Sequence, residues 1–76
     1  MKWIKLTHTG GINLVNLEQV YTIDITTSTN DIIFYDANSV LPLSYTFTNA
    51  AAKAEVVDKL NSILQTIDID QLAYQG

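Results

Sequence analysis

The sequence predicts an α+β domain: an antiparallel β-meander of four to five strands, then one C-terminal amphipathic helix packed on one sheet face. Three observations carry this reading. Large apolar and polar residues alternate over Val20–Thr26, the period of a strand whose sheet has one dry face. Short β-rich runs up to Phe47 are separated by clusters of Gly, Asn, Asp, Ser and Thr, the residues of turns. After Thr48-Asn49 the apolar spacing changes to three and four residues, the period of a helix. The expected layout is one domain over 1–76, with strands within about 2–47, a helix over about 50–66 and a tail at 68–76.

Lys2-Trp3-Ile4-Lys5-Leu6-Thr7 opens the meander, and Thr9-Gly10-Gly11 reads as a hairpin turn, because glycine supplies the positive φ that tight turns demand. Ile12–Asn16 returns as the second strand, and Leu17-Glu18-Gln19 reads as a short connection of one 3₁₀ turn. In Val20–Thr26 the apolar side chains fall at Tyr21, Ile23 and Ile25, which assigns them to the core. Thr27–Asn30 is a polar turn. Asp31-Ile32-Ile33-Phe34-Tyr35 follows, apolar on both faces, the pattern of a central strand or of one with a second layer against it. Asp36–Ser39 is the next turn. Val40–Phe47 is the last strand, with Leu41, Leu43, Tyr45 and Phe47 on one face and Pro42 marking an edge.

Thr48 and Asn49 are N-cap candidates before Ala50-Ala51-Ala52, a strong helix former. Val56, Val57, Leu60, Ile63, Leu64 and Ile67 form the apolar stripe, with Lys53, Glu55, Asp58, Lys59 and Asn61 assigned to the opposite side. Glu55 and Lys59 stand at i,i+4 in the favourable order. Residues 68–76 carry Ile69, Leu72 and Tyr74 without a clear period.

Composition narrows function mostly by exclusion. A 76-residue chain buries only about 60% of its unfolded surface, so self-association is a natural remedy where disulfides and metals are missing. There is no cysteine, and His8 is the single histidine, which argues against disulfides and zinc. No cofactor is expected. Net charge is −4 with four lysines and no arginine, a composition without the usual counterion-displacing footprint of a nucleic-acid binder. The chain has neither an apolar run long enough to span a membrane nor a signal-peptide pattern at Met1, so a cytoplasmic protein is expected. His8 reads as an exposed turn residue and not a catalytic base, since no acid or nucleophile is nominated beside it. Gly10-Gly11 leads into a strand and not a helix, unlike a phosphate loop. Asp24, Asp31 and Asp36 read as turn residues that bond their own backbone, and Asp68-Ile69-Asp70 lacks the glycine and glutamate of a calcium loop.

The remaining signal is aromatic. Alternation places Trp3 with Lys5 and Thr7, opposite Ile4 and Leu6. A helix covering Ile4 and Leu6 leaves Trp3 outside, and one of Phe34 and Tyr35 must also face away from the core. Trp3, Lys5, Phe34 and Tyr35 are therefore the candidate interaction surface. An exposed aromatic without arginine favours a protein contact over base stacking. The expected function is a small non-enzymatic protein-interaction module. Its partner is a second copy or another protein, with no small-molecule substrate evident. The alternative is a single-stranded nucleic-acid binder that stacks bases on Trp3 and nearby tyrosines.

The order Trp3-Ile4-Lys5-Leu6-Thr7, Gly10-Gly11, Val15-Asn16, Val20 and Ile32-Ile33-Phe34 resembles a recurrent group of tiny bacterial and phage proteins, whose best-named members are the flagellar FlbD-like proteins. The resemblance covers residues 3–64 and implies a meander, a short C-terminal helix and a flagellar role. It departs at Tyr45-Thr46-Phe47-Thr48-Asn49, where that group has a valine-and-glutamate segment. Strands followed by a helix also look like the C-terminal half of a pleckstrin-homology-type fold and like a class of small single-stranded-DNA binders.

Overall fold

A computed structural model describes residues 2–38 and 41–67. Five strands and one helix follow the expected order: β1 (Trp3–His8), β2 (Gly11–Asn16), a 3₁₀ turn (Leu17–Gln19), β3 (Val20–Ile25), β4 (Asp31–Asp36), β5 (Leu43–Thr46) and α1 (Ala50–Leu64). The meander is divided into two antiparallel sheets, β1-β2 and β3-β4-β5. The break falls at the 3₁₀ turn, where the Asn16 side chain accepts from Glu18 N–H at 3.0 Å. A capped turn cannot stay in a ladder, so the chain changes sheet there.

Register follows from the turns. In the first hairpin Trp3 pairs with Asn16, Ile4 with Val15, Lys5 with Leu14, Leu6 with Asn13 and Thr7 with Ile12. At this turn Gly11 has a positive φ, +131°, in a region side-chain-bearing residues rarely adopt. In the second sheet β4 is central, pairing Phe34 with Ile23 and Leu43, and Ile32 with Ile25 and Tyr45. Those residues share the inner face. The core comprises Leu6, Val15, Leu17, Ile32, Phe34, Tyr45, Phe47 and Leu60. Thr9 N–H donates to Thr46 O at 3.0 Å, which ties the hairpin turn to the end of β5.

α1 begins as expected: Asn49 is the N-cap, its side chain accepting from Ala52 N–H at 2.8 Å. It ends two residues earlier than expected, at a left-handed Gln65 (φ 53°) whose N–H bonds Asn61 O. Ala52, Val56, Val57 and Leu60 pack on the core, and the Glu55–Lys59 pair forms at 3.2 Å.

Four sequence-based placements are corrected. Tyr21 is exposed because it is the extra residue of a bulge between Val20 and Thr22, which displaces it from the strand's alternation. Ile25 keeps the inner face but stays largely exposed on edge strand β3. The last strand is shorter than Val40–Phe47: Leu41 and Pro42 precede β5 and are exposed, while Ser39 and Val40 lie outside the described residues. Lys53 does not face solvent. It is buried against the β3–β4 connection, its ammonium donating to Thr26 O and to Thr29 O (2.7 Å).

Candidate functional site

The hairpin register fixes which side chains share a face. Paired residues point the same way and the side alternates along each strand, so Ile4, Leu6 and Val15 point inward. Trp3, Lys5, Thr7, Ile12 and Leu14 therefore stand together on the outer face. Trp3 is 55% exposed, Ile12 62% and Leu14 66%. This is an apolar patch with one cation in it, held on a two-stranded ribbon.

Of the four residues singled out by sequence, Trp3 and Lys5 belong to this patch. Phe34 does not: it is fully buried, on the inner face of the central strand, with its ring 5.6 Å from that of Tyr45. It cannot offer a contact surface in this fold. Tyr35 is half-buried on the outer face of the other sheet, 6.3 Å from the bulged Tyr21 ring. The four residues thus divide between the core and two separate sheets. Ile12 and Leu14 were not singled out by alternation alone. The signal that would have found them is the two-residue Thr9-Gly10 turn, which pairs Leu14 with Lys5 and Ile12 with Thr7.

His8 is half-buried and structurally committed. Gly10 N–H donates to its Nδ1 at 3.2 Å, which places the ring proton on Nε2, 2.6 Å from Asn13 Oδ1. Its ring also meets Tyr45 edge-on, 4.8 Å between centroids. Burial holds the Tyr45 phenol above its ordinary range, because the phenolate would lose water.

Asp31 is held below the usual carboxylate range, chiefly by side-chain hydrogen bonds from Thr46 and Thr29; desolvation opposes this, and the nearby Lys53 charge adds to it. Asp36 accepts from Asn38 N–H at 2.7 Å, as a turn aspartate does. Among the described residues no group of three His, Cys, Asp or Glu side chains is placed to hold a metal ion, and no helix is long and apolar enough to cross a membrane.

Two grooves flank α1. One, of about 330 Å³, lies between β1 and α1; the other, of about 280 Å³, lies between β3 and the end of α1, lined by Tyr21, Ile23 and Leu64. The arrangement is an α+β β-meander with a C-terminal helix. No family model, curated protein or solved structure matches the chain.

Proposed function

We propose that this protein is a non-enzymatic interaction module that self-associates through the outer face of the β1–β2 hairpin. The supporting observation is the register that gathers Trp3, Ile12 and Leu14, all more than half exposed, on one face. Those exposures correspond to roughly 350 Å² of surface, the size of the largest apolar patch on a typical monomer, which is often functional. Two copies meeting face to face would bury about 700 Å² from these residues, below the standard size of a tight interface. The association is therefore weak, in the micromolar range or above.

Charge gives a second expectation. Each chain carries −4, so copies repel one another and added salt strengthens the dimer by screening. Binding of a nucleic acid would weaken with salt instead. Sedimentation equilibrium from tens to hundreds of micromolar, at low and high salt, tests both. The expected result is a monomer–dimer equilibrium that tightens with salt and disappears in Leu14→Lys. A chain that stays monomeric across that range overturns the reading. Oligonucleotide binding that falls steeply with salt would replace it with the nucleic-acid alternative.

A further inference from the structure

The edge of β1 away from β2 is unpaired over its middle. Leu17 N–H donates to Lys2 O at 2.8 Å, in the register that continues Trp3↔Asn16. Lys2 and Leu17 are thus a hydrogen-bonded pair of an antiparallel ladder, and alternation makes Ile4/Val15 and Leu6/Asn13 hydrogen-bonded pairs too. The main-chain N–H and C=O groups of Lys5 and Thr7 consequently point away from β2, and among the described residues no strand pairs with them. The next residue facing that way, Thr9, already bonds Thr46 O. Before that link the edge opens onto the groove of about 330 Å³, whose apolar wall is Ile4, Leu6, Phe47, Val56, Leu60 and Ile63. Free strand donors and acceptors beside an apolar groove are the arrangement that accepts an added strand.

Charge and register specify the occupant. Three of the chain's four lysines stand around this groove, against one of its eight acids. Lys5 and Lys59 line it, Lys2 reaches its end by donating to Ile63 O at 3.4 Å, and Glu55 is the acid. Lys59 takes up Glu55 at 3.2 Å, whereas Lys5 has no ionic partner among the described residues. The groove is thus locally positive on a chain of net charge −4, and it suits an acidic segment. On an added strand the residue opposite Lys5 points to the outer face with it, where a carboxylate meets the ammonium. The residues on either side of that acid point inward beside Ile4 and Leu6, and the groove has room for roughly two large side chains. The specified pattern is apolar–acidic–apolar in extended form. Among the described strands it recurs at Ile23-Asp24-Ile25, but Ile23 packs on its own core, so a folded second copy cannot offer it.

We propose that the groove between β1 and α1 is a docking site for an extended acidic–apolar segment of another protein, which adds to β1 as an edge strand. The groove and the outer hairpin face are different surfaces, so this inference does not depend on self-association. Amide hydrogen exchange on the full chain, at a protein concentration too low for dimers, tests it with the peptide acetyl-Ser-Glu-Val-Glu-Ile-Glu-Ser-amide. At saturating peptide the Lys5 and Thr7 amides should exchange at least about tenfold more slowly than in its absence. Unchanged exchange of both amides at about 1 mM peptide overturns the proposal. So does protection of these amides without any peptide, which means that the edge is already occupied.

Two altered peptides separate the contributions. With serine in place of valine and isoleucine the protection should vanish, because the groove is left empty. With lysine in place of every glutamate, binding should weaken at least about threefold, and Lys5→Glu should reverse that preference. Lys5 is exposed, and the Ile4 and Leu6 amides, bonded to β2, report in the same spectra whether the variant has kept its fold. Equal protection by the serine or the lysine peptide overturns the proposal. Displacement of the acidic peptide by a short oligothymidylate would put nucleic acid in the groove instead, and overturns it as well.

Discussion

Replacing Lys53 with methionine keeps an unbranched apolar stem and removes only the ammonium. That ammonium donates to Thr26 O and to Thr29 O (2.7 Å), and lies 3.2 Å from Thr26 Oγ1. The Thr26 hydroxyl in turn lies 2.9 Å from Asp31 O and 2.7 Å from Thr29 Oγ1, so one cation organises the whole β3–β4 connection. Hydrogen bonds to a charged group contribute about 1.5–3 kcal/mol each, and two carbonyls accept from this ammonium. Against their sum stand the cost of burying the ammonium, which methionine avoids, and water that can reach the carbonyls of an outer loop. The balance is a loss of roughly 2–4 kcal/mol, against a total of about 4–11 kcal/mol for a chain of this length. The midpoint of thermal unfolding should fall by roughly 10–25 °C. Urea unfolding followed by far-UV circular dichroism should show a lower midpoint with an unchanged m-value. The opposite result is physically open, since apolar replacements of buried charges are sometimes stabilising. A Lys53→Met protein within about 0.5 kcal/mol of the wild type, or more stable, refutes the assignment of Lys53 as the anchor of this turn.

Asp31 sets an acid limit on the same connection. Its carboxyl lies below the usual range in the folded chain, so the unfolded chain takes up the proton first as pH falls. The stability it contributes is complete above the ordinary carboxylate pKa, near 4, and is lost as pH drops through the lower folded value. Urea midpoints measured between about pH 5 and 2 should therefore fall more steeply for the wild type than for Asp31→Asn. The hairpin turn offers a paired comparison. Gly11→Ala meets no atom but must hold a φ of +131°, whereas a Cβ at Gly10 meets only the movable His8 ring at 3.1 Å. Urea titration should show Gly11→Ala costing about 1–2 kcal/mol and Gly10→Ala less.

Much of the architecture is legible in the sequence because local rules dictate it. Turn residues and the change of apolar period place the strands and the helix, Asn49 caps α1, and the i,i+4 pair Glu55–Lys59 forms where spacing puts it. The two-sided apolar run Asp31–Tyr35 becomes the central strand, since only a strand paired on both edges and covered on its inner face can shelter Ile32 and Phe34.

The candidate site was only partly legible. Alternation set Trp3 and Lys5 apart from Ile4 and Leu6, but β2 has apolar residues of both parities in Ile12, Leu14 and Val15, so its inner side depends on the partner it meets. Which of Phe34 and Tyr35 faces inward is likewise a matter of which sheet face the helix covers, and that choice buries Phe34.

Trp3 off the core face and a single helix on a meander are thus matters the sequence determines by itself, through period and turn chemistry. Tertiary structure alone decided three others. The bulge put Tyr21 outside, because the chain must leave the 3₁₀ turn and still pair Val20 with Asp36. The split into two sheets left the edge of β1 facing a groove. Lys53 sits four residues before Val57 and seven before Leu60, on the buried stripe. Its charge argues for solvent until the fold brings the carbonyls of Thr26 and Thr29 within reach of its ammonium. Each of these depends on which distant backbone groups meet a residue, and a one-dimensional pattern does not contain that.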